Sequence, residues 1–544
     1  MFVSNLPARW RKLLLAAIAL LLAAVIRLVD LQNLPNGLHW DEMDTGYQAN
    51  SLLKTGKDYF NNPLPLFPHS FADYRTPVYI YSAIPIIANL GLSAVSVRFV
   101  SVIWGLLGVI LIYLLTKDWL APLIVALSPW HVQYSRKAVE TISLSTIFLV
   151  ALACFLRGLR HPRWLVLSGL FFGLSMAAYS PGKLFVPLFL LVLIFIYRKS
   201  LIKISNIYLL MSVVSFSIVA VPVSLGSIFG KSGTRFHDVA IFTDPTRAFE
   251  INLRRLDTAL SSGQPRQVGL KTSVFAKLLD NKIIDITTTI ASSYLQTFST
   301  EFLFIKGDPE PRHSPSKNTI GQLHLSETLP LIIGLYHFPA VLIPWILLSP
   351  IPAALTREGG NHAARLLILF PALAWVITLG VRRLQKVHPL LSIFYFLAFL
   401  GSSFNIFGYY FTHYRFESAQ PYQRGFGQMA QLAYSKASQY DRVILDFGAD
   451  SALMAYLFTN KIPPRKLTYS KQILNTETPD LGNVYLLPPG SRSWSDITTQ
   501  KLLSGRNLII AAANTLPNPG VVPTPTRIDY PNSQPAFYTF EINQ

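Results

Sequence analysis

Residues 13–29 read LLLAAIALLLAAVIRLV, and the polar stretch that follows them contains the run His39-Trp40-Asp41-Glu42. The apolar stretch is close to the length of about 20 residues that an α-helix needs to cross a bilayer. Charged groups at a membrane boundary are costly unless they are solvated, paired or used in a function. Asp41 and Glu42, just beyond a membrane helix, are therefore a candidate general base for chemistry on a lipid-linked substrate.

The composition is that of a polytopic membrane protein. Of the 544 residues, 51% are hydrophobic and only 14% are charged, whereas a soluble domain carries about 25% charged residues. Long apolar runs recur, and we predict about 11 transmembrane helices from them. We expect the first helix to be retained rather than cleaved, because no small-residue cleavage site precedes a polar start. The runs are 13–29, 99–115, 142–156, 164–179, 184–197, 207–229, 329–355, 366–381 and 390–411.

The distribution of basic residues predicts the orientation of these helices. Thirteen lysine and arginine residues fall in five short segments, 9–12, 117, 157–163, 198–203 and 382–386, and Asp118 is the only acid beside them. Such clusters mark cytoplasmic loops, so the net charge of +19 does not call for a nucleic-acid partner. The N-terminus is then cytoplasmic, and residues 31–97 and 230–327 form loops on the extracytoplasmic face. Residues 78–90 are predicted to form a helix in or near the interface.

The run 329–355 is too long for one comfortable span and too short for two, and it contains several prolines. If residues 382–386 are cytoplasmic, this run must enter and leave the membrane on the same side. A short re-entrant hairpin with its backbone buried in protein satisfies that condition, and we favour it. The alternative is a single helix, which would invert the orientation of everything that follows.

The chain becomes more polar after residue 411. Short alternating or apolar runs predict strands at 442–447, 483–487 and 507–512, and residues 428–436 and 451–458 are predicted to be helical. We therefore predict two domains. Residues 1–411 form a transmembrane domain, mainly α, and residues 412–544 form a small extracytoplasmic α/β domain.

Asp41 and Glu42 would diverge by about 100° on a helix, so one carboxylate can take a proton while the other pairs with a cation. The alternative is a solvated helix N-terminus, where acids are favoured. Four basic residues, Arg75, Arg98, Arg136 and Lys183, lie near the same predicted membrane face outside any cytoplasmic loop. Any one of them can be a snorkelling side chain, but together they favour binding of a lipid-linked phosphate.

Two further segments contain candidate contacts. The run KGDPEPRH, residues 306–313, carries Asp308, Arg312 and His313, which are candidate acceptor or loop contacts or part of an ordinary exposed turn. His362 and Arg365 lie near the start of a late helix and are candidate phosphate or acceptor contacts. The alternative is that they cap that helix or form ion pairs. The chain lacks the phosphate-binding loop, zinc-protease and serine-hydrolase motifs, which removes support for ATP-driven work and for the common hydrolases.

In its order of features the chain resembles the GT-C glycosyltransferases, and more narrowly the bacterial relatives of protein O-mannosyltransferase and aminoarabinose transferase (glycosyltransferase family 39-like). A basic N-terminus, one helix and an acidic pair in the first external loop match that family. Further matches extend over residues 9–411. They are Arg75-Thr76-Pro77, Arg98-Phe99-x-Ser101 through Gly105, Ser128-Pro129 through Ser135-Arg136 with Glu140, Gly307-Asp308 to Arg312-His313, and His362-x-x-Arg365.

The resemblance implies an inverting transfer of a hexosyl or pentosyl group from a polyprenyl-phosphate donor to an acceptor hydroxyl. The reaction would take place on the extracytoplasmic face of the plasma membrane. Asp41 would be the general base, and Glu42 would pair with Arg98. Arg75, with Arg136 or Lys183, would stabilise the leaving phosphate. Some relatives bind a divalent metal and others do not, so the resemblance leaves a metal cofactor open.

Protein, lipid and glycan acceptors all fit this interpretation. A transporter or flippase for lipid-linked sugars is an alternative. It predicts charged residues near the middle of the membrane spans and two halves of the chain that are related to each other. In this sequence the charges cluster at one face instead. A non-catalytic membrane scaffold with an outer binding domain is the third possibility, and it predicts that Asp41 can be replaced without effect.

Overall fold

The computed structural model describes residues 7–71, 73–230, 233–261, 274–316, 318–336, 338–473, 476–487, 505–513 and 526–543. The first part of the chain forms six helices. They are α1 (Ala8–Leu28), α2 (Trp40–Thr55), α3 (Pro77–Leu90), α4 (Ala94–Thr116), α5 (Leu120–Leu127) and α6 (Pro129–Arg136).

The start of α2 is fixed by its own sequence. The His39 side chain accepts a hydrogen bond from the amide of Asp41 at 3.2 Å, and the Glu42 carboxylate accepts one from the amide of His39 at 3.2 Å. This reciprocal capping box satisfies two amides that the first turn leaves without helical partners. As a result, both acids lie in the first turn of a helix, at the end where negative charge is favoured.

The rest of the helical region alternates long helices with short ones. The next four helices are α7 (Thr141–Gly158), α8 (Arg163–Ala178), α9 (Gly182–Leu201) and α10 (Asn206–Ile228). The large loop contains α11 (Thr234–Val239), α12 (Thr246–Ser261), α13 (Val274–Leu279) and α14 (Lys282–Gln296). The chain then forms α15 (Thr328–Gly334), α16 (Leu342–Leu348), α17 (Ile351–Ala354), α18 (Ala363–Leu366), α19 (Phe370–Val387), α20 (Pro389–Thr412) and α21 (Tyr414–Glu417).

Among the described residues, six helices are long and apolar enough to cross a membrane: α4, α7, α9, α10, the stretch Ala363–Val387, and α20. Large apolar side chains on the outside of the bundle, such as Ile218, Leu397 and Phe404, are exposed, and Phe404 is 84% exposed. Such a surface suits contact with lipid rather than water. The chain is a multi-pass membrane protein, as predicted, and the total of about 11 spans stays a prediction.

The run 329–355 forms three short helices, α15 to α17, instead of one long span. Pro330 packs against Gly380 in the second half of α19, whereas the Trp345 indole donates to the carbonyl of Ile368, just before α19 begins. The chain therefore reaches towards the far end of α19 and returns. Arg312, before the run, and Thr356, after it, line the same cavity. Whether this broken segment re-enters the membrane stays a prediction.

The C-terminal region is α/β. Its described strands are β1 (Arg442–Asp446), β2 (Tyr469–Ile473), β3 (Thr476–Pro479), β4 (Val484–Leu486), β5 (Arg506–Ala512), β6 (Thr526–Asp529) and β7 (Pro535–Asn543). Five of them form a sheet in the order β4-β1-β5-β7-β6, with β1 parallel to β4 and β5, and β7 antiparallel to β5 and β6, whereas β2 and β3 form a separate hairpin. The same region contains helices α22 (Phe426–Lys436) and α23 (Ala449–Thr459), and each strand and helix predicted for it is found.

The α/β region rests directly on the helix that carries Asp41. A Cβ atom on Gly46 would lie 2.5 Å from Val97 of α4 and 2.8 Å from Phe458 of α23. Glycine at this position therefore lets α2 pack closely between α4 and α23. On the other side, the Tyr47 hydroxyl donates to the carbonyl of Ile462 at 2.8 Å. These contacts fix the α/β region against the site.

Candidate active site

Asp41 and Glu42 point in different directions, as expected for neighbours on a helix. The Asp41 side chain is 28% exposed at the rim of a cavity. Its Oδ1 accepts a hydrogen bond from Arg75 Nη2 at 2.6 Å. Its Oδ2 lies 3.2 Å from His39 Nδ1 and 3.9 Å from Arg312 Nη1. Asp41 is thus a half-buried carboxylate held in place by cationic and imidazole groups, with access to the cavity.

Glu42 is buried and pairs with Arg98, so the predicted ion pair is confirmed. Arg98 Nε and Nη2 each donate to a Glu42 carboxylate oxygen at 3.0 Å, and the amide of Ala138 donates to the same carboxylate at 2.8 Å. Burial opposes the charged form of Glu42, but Arg98 and the amides of Ala138 and His39 outweigh it. They hold the pKa of Glu42 below its usual value. Arg98 also donates to the carbonyls of Leu31, Pro35 and Gly37.

Arg75 lies among three carboxylates. Besides Asp41, its Nε donates to Asp44 Oδ2 at 2.9 Å and lies 3.5 Å from Asp73 Oδ1. Its guanidinium also lies 5.0 Å from the ring centre of Trp40. Burial raises the pKa of Asp44 to about 6, against the opposing effects of Arg75 and of the Tyr59 hydroxyl. Arg75 lines the cavity, and its best-defined contacts orient Asp41.

Arg136 does not line the cavity, contrary to its predicted position. Its guanidinium donates to the carbonyls of Ile26, Val29 and Leu34 at 2.5, 2.8 and 3.0 Å. These carbonyls lie at and just beyond the end of α1, where helix carbonyls lack helical partners. Arg136 therefore closes the end of α1, and neither it nor Arg98 is placed to contact a phosphate in the cavity.

The neighbouring residue, Lys137, takes the place predicted for Arg136. Helix α6 ends at Arg136, and Lys137 has extended backbone angles, φ −117° and ψ 147°, so the two side chains point apart. The Lys137 ammonium donates to the carbonyl of Arg312 at 2.8 Å and lies 3.9 Å from the ring centre of Tyr134. Burial, with the charge of Arg312, lowers the pKa of Lys137 to about 7. The sequence shows that a lysine follows Arg136, but it does not show in which direction the lysine side chain points.

Lys183, at the start of α9, lies where it was predicted. Its ammonium is 5.0 Å from the ring centre of Phe67, which comes from the first loop, and the residue lines the cavity. Arg365 also lines the cavity, and its Nη1 donates to Thr356 Oγ1 at 2.5 Å and to the carbonyl of Arg357 at 3.0 Å. Two of the predicted cationic residues thus line the cavity.

The 306–313 segment folds over the site instead of forming an isolated exposed turn. Arg312 Nη1 lies 2.6 Å from His39 Nε2, which links this segment to the start of α2. Asp308 accepts hydrogen bonds from the amides of Glu310 and Ala363 at 2.9 and 2.7 Å. The rings of His313 and His362 lie 4.4 Å apart. Asp308, His313 and His362 have ligand atoms within 4.8 Å of one another, so these residues form a candidate metal-binding group.

These residues surround a cavity of about 480 Å³, within the range of about 300–1,000 Å³ that is common for ligand sites. Among the described residues, its lining contains five lysine and arginine side chains and two carboxylates, Asp41 and Glu140. An excess of positive charge favours an anionic ligand. The cations are Arg75, Lys137, Lys183, Arg312 and Arg365, and apolar lining comes from Val139, Pro181, Leu184, Phe236, Val239, Pro352 and Ala364.

The α/β region reaches the same site, a connection that the sequence did not reveal. Gln423 accepts a hydrogen bond from the amide of Trp40 at 2.8 Å and donates one to Ser451 Oγ at 2.8 Å. Asp450, next to Ser451 at the start of α23, has its pKa raised by burial and by the charge of Asp41. The start of α23 therefore lies close enough to Asp41 to influence its surroundings.

Comparison with known proteins supports the architecture. A family model described as dolichyl-phosphate-mannose-protein mannosyltransferase matches residues 75–224, and no curated protein matches the sequence. ArnT from Cupriavidus metallidurans, solved with undecaprenyl phosphate, is 12% identical with a TM-score of 0.50, and the match covers 98% of each chain. The oligosaccharyltransferase AglB from Archaeoglobus fulgidus, solved with an inhibitory peptide and a dolichol-phosphate, is 12% identical with a TM-score of 0.51. That match covers 92% of this chain and 69% of AglB. The resemblance to GT-C glycosyltransferases found in the sequence is confirmed at the level of the fold.

Proposed function

We propose that this chain is an inverting glycosyltransferase that moves a hexosyl or pentosyl group from a polyprenyl-phosphate donor to an acceptor hydroxyl. The observation that carries the proposal is the placement of one half-buried carboxylate, Asp41, at the rim of a cavity whose described lining includes five cationic side chains. Such a site offers both a proton acceptor and a place for a phosphate. We place the reaction on the extracytoplasmic face of the plasma membrane, the face on which residues 31–97 are predicted to lie.

Asp41 acts as the general base in this proposal. The acceptor hydroxyl gives its proton to the Asp41 carboxylate while its oxygen forms a bond to the anomeric carbon. The bond from that carbon to the phosphate oxygen breaks, and its electron pair leaves with the phosphate. Arg75 holds one oxygen of Asp41 at 2.6 Å and so fixes the direction of the carboxylate.

The cations on the cavity wall stabilise the leaving phosphate. Lys137, Lys183 and Arg365 line the cavity together with Arg75, and positive groups aimed at a developing charge lower the barrier. Apolar residues of the same lining, among them Leu184 and Phe236, offer contact to the first isoprenoid units of the donor. A cavity with both kinds of lining suits a lipid-linked sugar phosphate better than a free sugar nucleotide.

Mass spectrometry of envelope glycans tests the proposal directly. A strain that lacks the chain should lose one glycan species, and the wild-type chain should restore it. Purified protein in nanodiscs should then transfer the sugar from a polyprenyl-phosphate donor to the acceptor identified in that way. Loss of the glycan without transfer by the purified protein, but with movement of the lipid-linked sugar across vesicles, would favour a flippase instead.

The pH dependence of donor binding should report on Lys137. Its pKa of about 7 means that its ammonium is charged below pH 7 and neutral above it. The phosphodiester of the donor keeps one negative charge throughout. We therefore expect donor affinity to fall about tenfold between pH 6 and pH 8.5, since a hydrogen bond to a charged group is lost. The affinity for the donor is measured with chelator-treated protein in nanodiscs.

Two variants separate this effect from general changes with pH. Lys137→Arg keeps its charge over the whole range, so its affinity should be nearly independent of pH. Lys137→Gln should bind weakly at every pH. Equal pH dependence in the wild type and in Lys137→Gln would remove Lys137 from the donor site.

A further inference from the structure

Three side chains at the cavity, two of which line it, have no role in the proton transfer or phosphate stabilisation described above. Asp308 and His313 come from the large loop, and His362 lies just before α18. Their potential ligand atoms all lie within 4.8 Å of one another. Two imidazoles and a carboxylate are a common ligand set for zinc and other divalent transition metals.

The backbone around Asp308 is shaped to hold its carboxylate in one position. Asp308 is 3% exposed, and the amides of Glu310 and Ala363 donate to its two oxygens. The preceding Gly307 has a φ of +73°, and a Cβ there would lie 2.5 Å from Ser314 Oγ and 2.6 Å from the carbonyl of Ile320. The turn therefore requires glycine. Hydrogen bonds that orient a carboxylate are typical of the surroundings of a metal ligand.

The two histidines complete the group. His313 Nδ1 lies 3.1 Å from Asp308 Oδ2, and the ring of His362 lies 4.4 Å from that of His313. His362 Nδ1 is buried and has no hydrogen-bond partner among the described residues. A buried nitrogen without a partner is costly. A metal ion bound to its lone pair would supply the missing interaction.

We propose that Asp308, His313 and His362 bind one divalent transition-metal ion of the zinc type. His313 and His362 also line the cavity, so the remaining coordination position would face the cavity and take water or an anionic oxygen. Lys137, Arg312 and Arg365 line the same cavity, and their positive charge opposes a divalent cation. We therefore expect micromolar affinity for the metal alone, weaker than in a structural zinc site.

Calorimetric titration of chelator-treated, full-length protein in detergent with Zn²⁺ tests this proposal. We expect one Zn²⁺ per chain, and at least about tenfold weaker binding in His313→Ala and in His362→Ala. His237→Ala removes an exposed histidine of the large loop and should bind as the wild type does. Visible absorption of Co²⁺ bound to the wild-type protein provides a second measurement that depends on no variant.

The outcomes separate the metal site from the proposed transfer reaction. Asp41→Asn should keep full Zn²⁺ binding, because Asp41 is not among the three ligands. Absence of Zn²⁺ binding and of a Co²⁺ spectrum in the wild-type protein would overturn the proposal. So would unchanged stoichiometry and affinity in the double variant of His313 and His362. Loss of binding in Asp41→Asn would place the metal at α2 and overturn the assignment to Asp308, while leaving the proposed transfer reaction untouched.

Discussion

Replacing Asp41 with asparagine should lower sugar transfer by about 10²- to 10⁴-fold, the usual contribution of a general base. Asparagine has nearly the same shape, and its carbonyl can still accept the hydrogen bond that Arg75 donates at 2.6 Å. The amide cannot take the proton of the acceptor hydroxyl. The loss should therefore appear in the rate of single-turnover transfer in nanodiscs, whereas the affinity for the lipid-linked donor should stay close to that of the wild type.

Asp30→Asn is the matched control for this variant. It makes the same substitution one residue before the same loop, at a residue that pairs with Arg415 and is not among the residues that line the cavity. It should retain wild-type transfer. Transfer by Asp41→Asn at a rate within a few-fold of the wild type would contradict the assignment of the base. The same result would favour a scaffold or a transporter, for which the charge of Asp41 is dispensable.

Much of the membrane architecture was predictable because it depends on simple physical constraints. Apolar length determines which segments can span a bilayer, and six such helices are found among the described residues. The cytoplasmic loops inferred from the clusters of basic residues stay a prediction. The interruption of 329–355 by prolines likewise predicted a broken segment, and three short helices are found there. Strands were predicted at 442–447 and 507–512 from their apolar runs, and they are found at Arg442–Asp446 and Arg506–Ala512. The strand Pro535–Asn543, which pairs with β5, was missed.

The candidate site was predictable in its composition but not in its detailed geometry. Asp41, Arg75, Lys183, Arg312, His313, His362 and Arg365 were all singled out from the sequence, and all line one cavity. Arg98 and Arg136 were singled out for the same reason, but they are occupied by Glu42 and by backbone carbonyls. A basic residue near a membrane face can bind a ligand or hold the protein together. The choice depends on the direction of its side chain.

Lys137 shows why the direction of a basic side chain determines whether it can bind a ligand. Helix α6 ends between two adjacent basic residues, and the backbone becomes extended at Lys137. Lys137 binds the carbonyl of Arg312, whereas Arg136 binds carbonyls at the end of α1. No property of the two side chains distinguishes them in the sequence. Asp450 shows the same limit at long range, because only the packing of α23 against α2 brings it near Asp41.

Replacing Glu42 with glutamine should destabilise the protein by about 3–5 kcal/mol, because it leaves the charge of Arg98 buried without its partner. Arg98 and Glu42 are almost completely buried and share two hydrogen bonds of 3.0 Å. Since the pKa of Glu42 is held below its usual value, the pair stabilises the folded state at neutral pH. That contribution should be lost as the pH falls below the ordinary carboxyl range. The change in the free energy of unfolding is measured by unfolding both proteins in mixed micelles with an increasing proportion of a denaturing detergent.

The pair Glu301 and Lys306 provides the control, because both side chains are more than half exposed. Glu301→Gln should leave stability unchanged within error, as is usual for surface ion pairs. Combining Glu42→Leu with Arg98→Met should recover part of the stability lost in Glu42→Gln, since no unpaired charge remains. The recovery should be partial because Arg98 also binds the carbonyls of Leu31, Pro35 and Gly37. A Glu42→Gln protein as stable as the wild type would show that these carbonyls alone compensate the buried guanidinium.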